Sequence, residues 1–146
     1  MKAKEIMTAN PRCCTPGDSL QDVARSMREC DCGALPVLEN ERVIGIVTDR
    51  DLAVRGLADG KSFDAKVGDI FTPDPRCGSA NDDVREIERI MADNQVRRVP
   101  IVDDDGRCVG IIAQADLARA ALNGPRITEQ EVAIVVESIS EPSHRP

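Results

Sequence analysis

The sequence contains almost no aromatic side chains. Trp and Tyr are absent from its 146 residues, and Phe63 and Phe71 are the only phenylalanines. Because 41% of the chain is hydrophobic, we expect a core of aliphatic side chains. Proteins that bind single-stranded nucleic acid stack the bases on aromatic side chains, and this chain lacks such a platform.

Positive charge is also scarce. The formal net charge is −7, from 19 Lys and Arg against 26 Asp and Glu, and no basic run occurs. Binding to a polyanion needs a basic face, so we expect neither nucleic acid nor an anionic membrane as a partner. A small anionic ligand held by a few local donors remains possible.

Long apolar runs are missing as well. The N-terminus leads into no run of the kind found in a signal peptide. No stretch approaches the roughly 20 apolar residues of a membrane span. We therefore expect a cytoplasmic protein in which the six cysteines are thiols.

The residues needed for common catalytic machinery are few. The single histidine, His144, lies in the expected C-terminal tail, so no Ser-His or Cys-His pair is predicted. The P-loop and the Gly-rich dinucleotide fingerprint are both absent. Acidic clusters at 82–83 and 103–105 fall at a helix start and a turn, where solvated carboxylates are common. The sequence predicts no enzyme.

The cysteines form two clusters that are candidate sites, Cys13-Cys14 and Cys30-x-Cys32. Neither has the spacing of a zinc site, so no metal site is predicted. Inert thiols are the main interpretation. A redox switch at Cys30 and Cys32, or at Cys14, stays open as an alternative.

An internal repeat organises the chain. A shift of 64 residues places Pro11-Arg12-Cys13 on Pro75-Arg76-Cys77 and Pro36 on Pro100. After one extra residue in the turn at 103–106, a shift of 65 places Gly45-Ile46 on Gly110-Ile111. We divide the chain into repeat 1 (1–60), repeat 2 (61–124) and a C-terminal helix with a tail (125–146).

Each repeat has the pattern β-α-β-β-α over about 50 residues, too few to bury both faces of its own sheet. Apolar residues recur at helical spacing from Leu20 and Val84, and two short strands joined by a polar turn follow. A second helix is predicted at about 49–57 and 114–122, with Gly124-Pro125 as a stop signal. Thr128 and Glu131 have capping-box spacing at the start of the C-terminal helix. The fold class is α+β.

The two units resemble the CBS domain, or Bateman module, family over nearly all of residues 3–122. The resemblance rests on three segments that occur in order in each copy. They are 5–8, 33–37 and 45–51 in repeat 1, and 68–72, 97–102 and 110–116 in repeat 2. It implies two units packed as a pseudo-twofold pair with two clefts, further association into a homodimer, and adenosine ligands in the clefts.

In this family a Gly-apolar-apolar-Thr/Ser-x-x-Asp segment holds the ribose, and Thr48 and Asp51 occupy those positions. A carboxylate can accept hydrogen bonds from both ribose hydroxyls. Free N–H groups at a helix start suit a phosphate oxygen. The same spacing also fits a capping box that merely starts the helix.

The second copy departs from the pattern, because Asp116 is kept but Ala113 replaces the hydroxyl residue. We therefore expect one competent site or two unequal ones, or an Asp116 that only favours its helix N-terminus. The resemblance places Arg97 and Arg98 near phosphate, with at least one reaching the Thr48/Asp51 cleft, although a solvated pair is the alternative. Apolar residues beside the two prolines complete the predicted ligand set, with a core role as the alternative: Ala34, Leu35 and Val99.

These residues predict a regulatory module that senses AMP, ADP, ATP or S-adenosyl compounds. It needs no cofactor and acts on an unidentified effector protein. A thiol-redox or metal-responsive stress protein is one alternative. A ligand-free scaffold that binds a protein partner is another.

Overall fold

The computed structural model describes residues 1–124 and 128–140. Pro125 of the predicted stop signal and the tail with His144 therefore lie outside the described residues. Within them, no helix is both long and apolar enough to cross a bilayer. The helices are α1 (Ala3–Ile6), α2 (Leu20–Cys30), α3 (Asp49–Asp51), α4 (Val84–Asn94), α5 (Gln114–Asn123) and α6 (Glu129–Ser140). The strands are β1 (Thr8–Ala9), β2 (Ala34–Glu39), β3 (Arg42–Thr48), β4 (Thr72–Pro73), β5 (Gly78–Ser79), β6 (Arg98–Val102) and β7 (Cys108–Ala113).

The chain forms two compact units, each assembled from both repeats. Among the described residues, unit 1 comprises 1–10, 76–104, 109–124 and 128–140, and unit 2 comprises 11–75 and 105–108. The first ten residues thus pack with the sheet of repeat 2, while the turn of the repeat 2 hairpin packs with repeat 1. The repeat boundaries at 60 and 124 stay predictions of the sequence register.

Unit 2 is built on an antiparallel sheet in the order β2-β3-β4. Its hairpin pairs Ala34 with Thr48 and Glu39 with Arg42, and turns at Asn40 and Glu41, both of which have positive φ. Helix α2 covers this sheet and begins where the Ser19 hydroxyl accepts a hydrogen bond from the Asp22 amide. The buried residues form one core: Cys14, Leu20, Val23, Met27, Leu35, Val37, Val47, Val67 and Ile70.

Unit 1 has a four-stranded sheet in the order β1-β7-β6-β5. Strand β1 pairs Thr8 with Ile111, so the N-terminal segment completes the sheet of repeat 2. Asp83 caps the start of α4, where its carboxylate accepts a hydrogen bond from the Arg85 amide at 2.9 Å. Strand β6 is internal, and Pro100 is tolerated there because pairing with β5 begins at the next residue, Ile101.

Helix α6 confirms the predicted C-terminal helix. The Thr128 hydroxyl accepts from the Glu131 amide, and the Glu131 carboxylate accepts from the Thr128 amide, both at 3.1 Å. The helix packs against α4 and α5. It buries three apolar side chains: Val132, Val135 and Ile139.

The second helix of repeat 1 differs from the prediction. Only Asp49–Asp51 is α-helical, and Leu52–Leu57 is π-helical. The wider turn is closed by the Ala58 amide, which donates to the Ala53 carbonyl at 2.9 Å. A Cβ at Gly56 would lie 3.2 Å from Leu20 Cδ1, so the glycine allows the helix to approach α2 closely. The corresponding residue of repeat 2 is Ala121, and α5 is regular.

Glu88 on α4 is a buried carboxyl in unit 1. Among the described residues its Oε1 is the only buried side-chain oxygen or nitrogen without a hydrogen-bond partner. Burial raises the pKa of Glu88, as do Glu131 on α6 and Asp83 at the start of α4, while Arg85 opposes them. The folded chain therefore binds this proton more tightly than the unfolded chain.

We expect the free energy of unfolding to fall as pH rises from the ordinary carboxyl pKa through the raised pKa of Glu88. The variant Glu88→Gln should remove this part of the pH dependence and unfold at higher urea concentration at pH 7. Urea unfolding between pH 4 and pH 8 measures both effects. Identical pH profiles for the two proteins would show that Glu88 carries no such linkage.

Candidate functional site

In unit 2, Thr48 and Asp51 lie where β3 ends and α3 begins. The Asp51 amide donates to the Thr48 hydroxyl at 3.1 Å, and the Thr48 amide donates to Asp51 Oδ2 at 3.0 Å. The two side chains therefore form the capping box that was predicted as the alternative to ligand binding. The cap fixes both side chains in one rotameric arrangement at the start of the helix.

The cap leaves hydrogen-bonding capacity on both residues. A hydroxyl that accepts one bond still has a hydrogen to donate. Asp51 is 8% exposed, and the nearest cation to its Oδ1 is Arg55 Nε at 3.9 Å, beyond ordinary hydrogen-bond length. This carboxylate oxygen can accept further donors, such as the two hydroxyls of a ribose.

Arg55 also lies at this site, although the family segment does not include it. Besides facing Asp51, it donates to the Ile70 carbonyl at 3.4 Å. The signal was present, because residues four apart on a helix are neighbours. In repeat 2, Arg119 takes the same role three residues after Asp116.

The strand β2 supports the site from one side. The Asp49 amide donates to the Gly33 carbonyl at 2.9 Å, and Ala34 pairs with Thr48. The structure thus places Ala34 opposite Thr48 in the sheet, and its contact with a ligand stays a prediction. Leu35 has no exposed surface and lies in the core of unit 2, so its contact with a ligand stays a prediction.

In unit 1, Asp116 caps α5 with half of the same motif. Its Oδ2 accepts from the Ala113 amide at 2.7 Å, but the Ala113 side chain has no oxygen to accept the return bond. Asp116 also pairs with Arg119, so both of its carboxylate oxygens have close partners. With Ile6, Asp116 and Arg119 line a pocket of about 260 Å³.

A second pocket in unit 1 contains the two predicted arginines. Its volume is about 320 Å³, at the lower end of small-molecule pockets. Arg97 is exposed and Arg98 half-buried, and the Gln114 amide donates to the Arg97 carbonyl at 2.8 Å. Two guanidinium groups beside the start of α5 favour an anion. The lining residues are Arg97, Arg98, Ala113, Gln114, Ala115, Ala118 and Val136.

The predicted ligand set is thus divided between the two units. Thr48, Asp51 and Ala34 come together in unit 2, whereas Arg97 and Arg98 come together in unit 1, and Asp116 lines the second pocket of that unit. Val99 is fully buried in the core of unit 1. That an arginine reaches the Thr48/Asp51 site stays a prediction.

The structure corrects the expectation that all six cysteines are thiols. Cys30 and Cys32 form a disulfide, so the interpretation of all six as thiols is wrong for this pair. The other four cysteines are thiols. Burial raises the pKa of Cys14 to about 12, with a contribution from Asp18. A hydrogen bond with Cys108 raises the pKa of Cys13. Within residues 1–124 and 128–140, no group of three or more potential metal ligands is present.

Restoring the missing cap should stabilise α5. In Ala113→Thr the new hydroxyl can accept from the Asp116 amide, as Thr48 does from Asp51, and the gain should be about 1 kcal/mol. Thermal unfolding measures it, with Ala113→Val as the matched variant of similar shape that has no hydroxyl. Equal melting temperatures for the Thr and Val variants would contradict the capping account.

Comparison with known proteins places these features in a family. The family model described as "CBS domain" matches residues 3–56 and 67–123. This chain belongs to the CBS domain family. The CBS chain is 34% identical over 142 residues to Hypoxic response protein 1 of Mycobacterium tuberculosis, a match that covers 96% of this chain and 94% of that protein.

Solved structures of similar proteins share the fold of this CBS chain. Hypoxic Response Protein I, with two coordinated zinc ions, is 37% identical with a TM-score of 0.74, over 82% of this chain and 98% of that one. CBSX2 in complex with AMP is 28% identical with a TM-score of 0.73, and the match covers 84% of this chain and 96% of CBSX2. The CBS domain pair of protein MJ0100, in complex with 5′-methylthioadenosine and S-adenosyl-L-methionine, is 26% identical with a TM-score of 0.76. The match covers 85% of this chain and 100% of that domain pair.

Proposed function

We propose that this CBS chain is a regulatory module that binds an adenosine-bearing ligand, with the ribose held by Asp51 and Thr48. Ligand occupancy is the signal, and we assign the chain no reaction of its own. The regulated protein is a separate effector, and we expect the module to act as a homodimer in the cytoplasm.

The observation that carries this proposal is the state of the Asp51 carboxylate. It is held in place by the Thr48 amide, is almost enclosed, and has one oxygen whose nearest cation is 3.9 Å away. A preorganised acceptor of this kind loses little entropy when two hydroxyls bind. In Asp116 both oxygens already have close partners, so we propose that the first copy binds more tightly.

The comparisons support adenosine as the shared part of the ligand. AMP, 5′-methylthioadenosine and S-adenosyl-L-methionine, bound by two of the similar proteins, have this moiety in common and differ at the 5′ position. The Arg97/Arg98 pocket of unit 1 has the charge to select a 5′-phosphate. We therefore propose that AMP, ADP or ATP is preferred over the uncharged thioether.

Thermal unfolding of the protein against AMP, ADP, ATP, S-adenosylmethionine and 5′-methylthioadenosine tests the proposal. A ligand present at a hundred times its Kd and bound only to the folded state adds about 2.7 kcal/mol, which raises the melting temperature visibly. The absence of a shift with every ligand at millimolar concentration would refute the sensing function.

The phosphate preference has its own test. Arg97→Ala combined with Arg98→Ala should weaken AMP binding by roughly tenfold to a hundredfold, the cost of lost charged hydrogen bonds, and leave 5′-methylthioadenosine unchanged. Arg76→Ala, which removes one exposed charge from the same unit, is the matched control. An equal loss of affinity for AMP and 5′-methylthioadenosine would mean that the arginines do not recognise the phosphate.

A further inference from the structure

The Cys30–Cys32 disulfide lies at the C-terminal end of α2. Cys30 is the last residue of the helix, Asp31 has a left-handed conformation with φ 51° and ψ 49°, and Cys32 follows. The two Cα atoms are 5.3 Å apart. Both side chains are half-buried against the core of unit 2.

The second repeat forms the same turn without cysteines. Gln95 ends α4 with φ 51° and ψ 46°, and the Val96 amide donates to the Met91 carbonyl at 3.1 Å. In repeat 1 the Cys32 amide donates to the Met27 carbonyl at 3.0 Å. Since the backbone adopts this turn with Asn94 and Val96 in place of the cysteines, the disulfide is not needed to form it.

The disulfide is adjacent to the candidate site. The next residue, Gly33, accepts the hydrogen bond from the Asp49 amide, which fixes the start of α3 between Thr48 and Asp51. Ala34 then pairs with Thr48. Cys32 is therefore bonded directly to the residue whose carbonyl positions the start of α3 and the proposed ribose acceptors.

We propose that Cys30 and Cys32 form a thiol–disulfide switch that sets the ligand affinity of the Thr48/Asp51 site. The effect on affinity rests on the proposed function. The disulfide restricts the turn that carries the Gly33 carbonyl, so the oxidised protein has the better ordered site. Because ordering costs are paid on binding, the dithiol form binds more weakly.

The oxidant is a low-molecular-weight disulfide such as oxidised glutathione. One cysteine thiolate attacks a sulfur of the oxidant, whose S–S bond breaks, and the first thiol leaves. The second cysteine thiolate attacks the mixed disulfide and displaces the second thiol. Two protein thiols are oxidised to one disulfide, the oxidant is reduced to two thiols, and the two protons end on these products.

Thiol counting tests the exchange itself. After treatment with dithiothreitol the denatured protein should show six reactive thiols, and after oxidised glutathione it should show four, with peptide mapping placing the bridge at Cys30 and Cys32. The double variant Cys30→Ser and Cys32→Ser should show four in both states. The control Cys77→Ser should still lose two reactive thiols on treatment with oxidised glutathione. Six thiols in both states of the natural sequence, or a bridge elsewhere, would overturn the switch.

Two measurements test the coupling to the site. Hydrogen exchange at the Asp49 amide, whose acceptor is Gly33, should be slower in the oxidised protein, and the Gln114 amide of repeat 2 should not change. The Kd for AMP should rise roughly threefold to tenfold on reduction, the range expected from ordering one short segment. The double serine variant should behave as reduced protein in both buffers.

The outcomes separate the two proposals. If neither form binds an adenosine ligand, the proposed function fails, and Asp49 exchange still decides whether the disulfide controls the helix start. If AMP binds both forms equally and Asp49 exchange is unchanged, the switch is refuted while the binding function stands.

Discussion

Asp51→Ala should weaken binding of the adenosine ligand by about a hundredfold or more, because hydrogen bonds to a charged acceptor contribute about 1.5 to 3 kcal/mol each and two are lost. Isothermal titration calorimetry of the reduced and oxidised proteins measures the effect. The variant also loses a helix cap, which should cost about 1 kcal/mol of stability. It must therefore be titrated below its own unfolding transition.

The matched control is Asp116→Ala in the second copy. It removes the equivalent carboxylate and cap, so its loss of stability should be similar, but its effect on the stronger binding event should be small. Asp51→Asn provides a second comparison, since it keeps the shape and lowers the acceptor strength. If Asp51→Ala binds as tightly as the natural sequence, the ribose is held elsewhere.

Gly45→Ala is the substitution for which we expect the largest loss of stability. A Cβ on this residue of β3 would lie 2.1 Å from Phe71 Cδ2 and 2.8 Å from the Thr72 carbonyl oxygen. The ring could rotate, but the carbonyl belongs to the paired strand β4, so the sheet itself must shift. Overpacking of this kind costs about 3 kcal/mol.

Urea unfolding measures this cost, and Gly17→Ala is the control because a Cβ there meets no atom within 4 Å. Gly17→Ala should unfold at the same urea concentration as the natural sequence. Equal midpoints for Gly45→Ala and Gly17→Ala would contradict the close approach of β3 and β4.

Much of the fold could be predicted from the sequence because local signals agreed with the repeat. Apolar spacing located α2 and α4, and the polar turns at 39–41 and 103–106 located the hairpins. The capping box predicted at Thr128 and Glu131, and the one left open at Thr48 and Asp51 as the alternative to ligand binding, are both present in the structure. These features depend on residues close together in the chain.

The remaining features depend on contacts that are distant in sequence. The N-terminal strand pairs with β7, about a hundred residues away, and no local pattern specifies that partner. The π-helical segment contains Gly56, which packs closely on Leu20, and a helical periodicity does not indicate either feature. The cysteine spacing indicated a redox pair only as an alternative, since two thiols one residue apart are equally compatible with a reduced turn.

For the candidate site, too, the predictable part is the part formed by residues close together in the chain. Thr48, Asp51 and Ala34 lie within one hairpin and its following helix, where Ala34 pairs with Thr48 and the Thr48 hydroxyl accepts from the Asp51 amide. That they bind a ligand stays a prediction. Arg55 was not predicted because it lies outside the family segment. Its proximity to Asp51 follows from their four-residue spacing on the helix. The relation of Arg97 and Arg98 to Asp51 depends on packing between distant parts of the chain and stays a prediction.

Chemical-shift mapping on the isotope-labelled protein with saturating AMP tests the central claim most directly. We predict that the amides of Thr48, Asp49 and Asp51 shift strongly and together with those at 33–34, and that the shifts disappear in Asp51→Ala. Saturable shifts confined to other residues, with these amides unmoved, would contradict the assignment of Asp51 as the ribose acceptor.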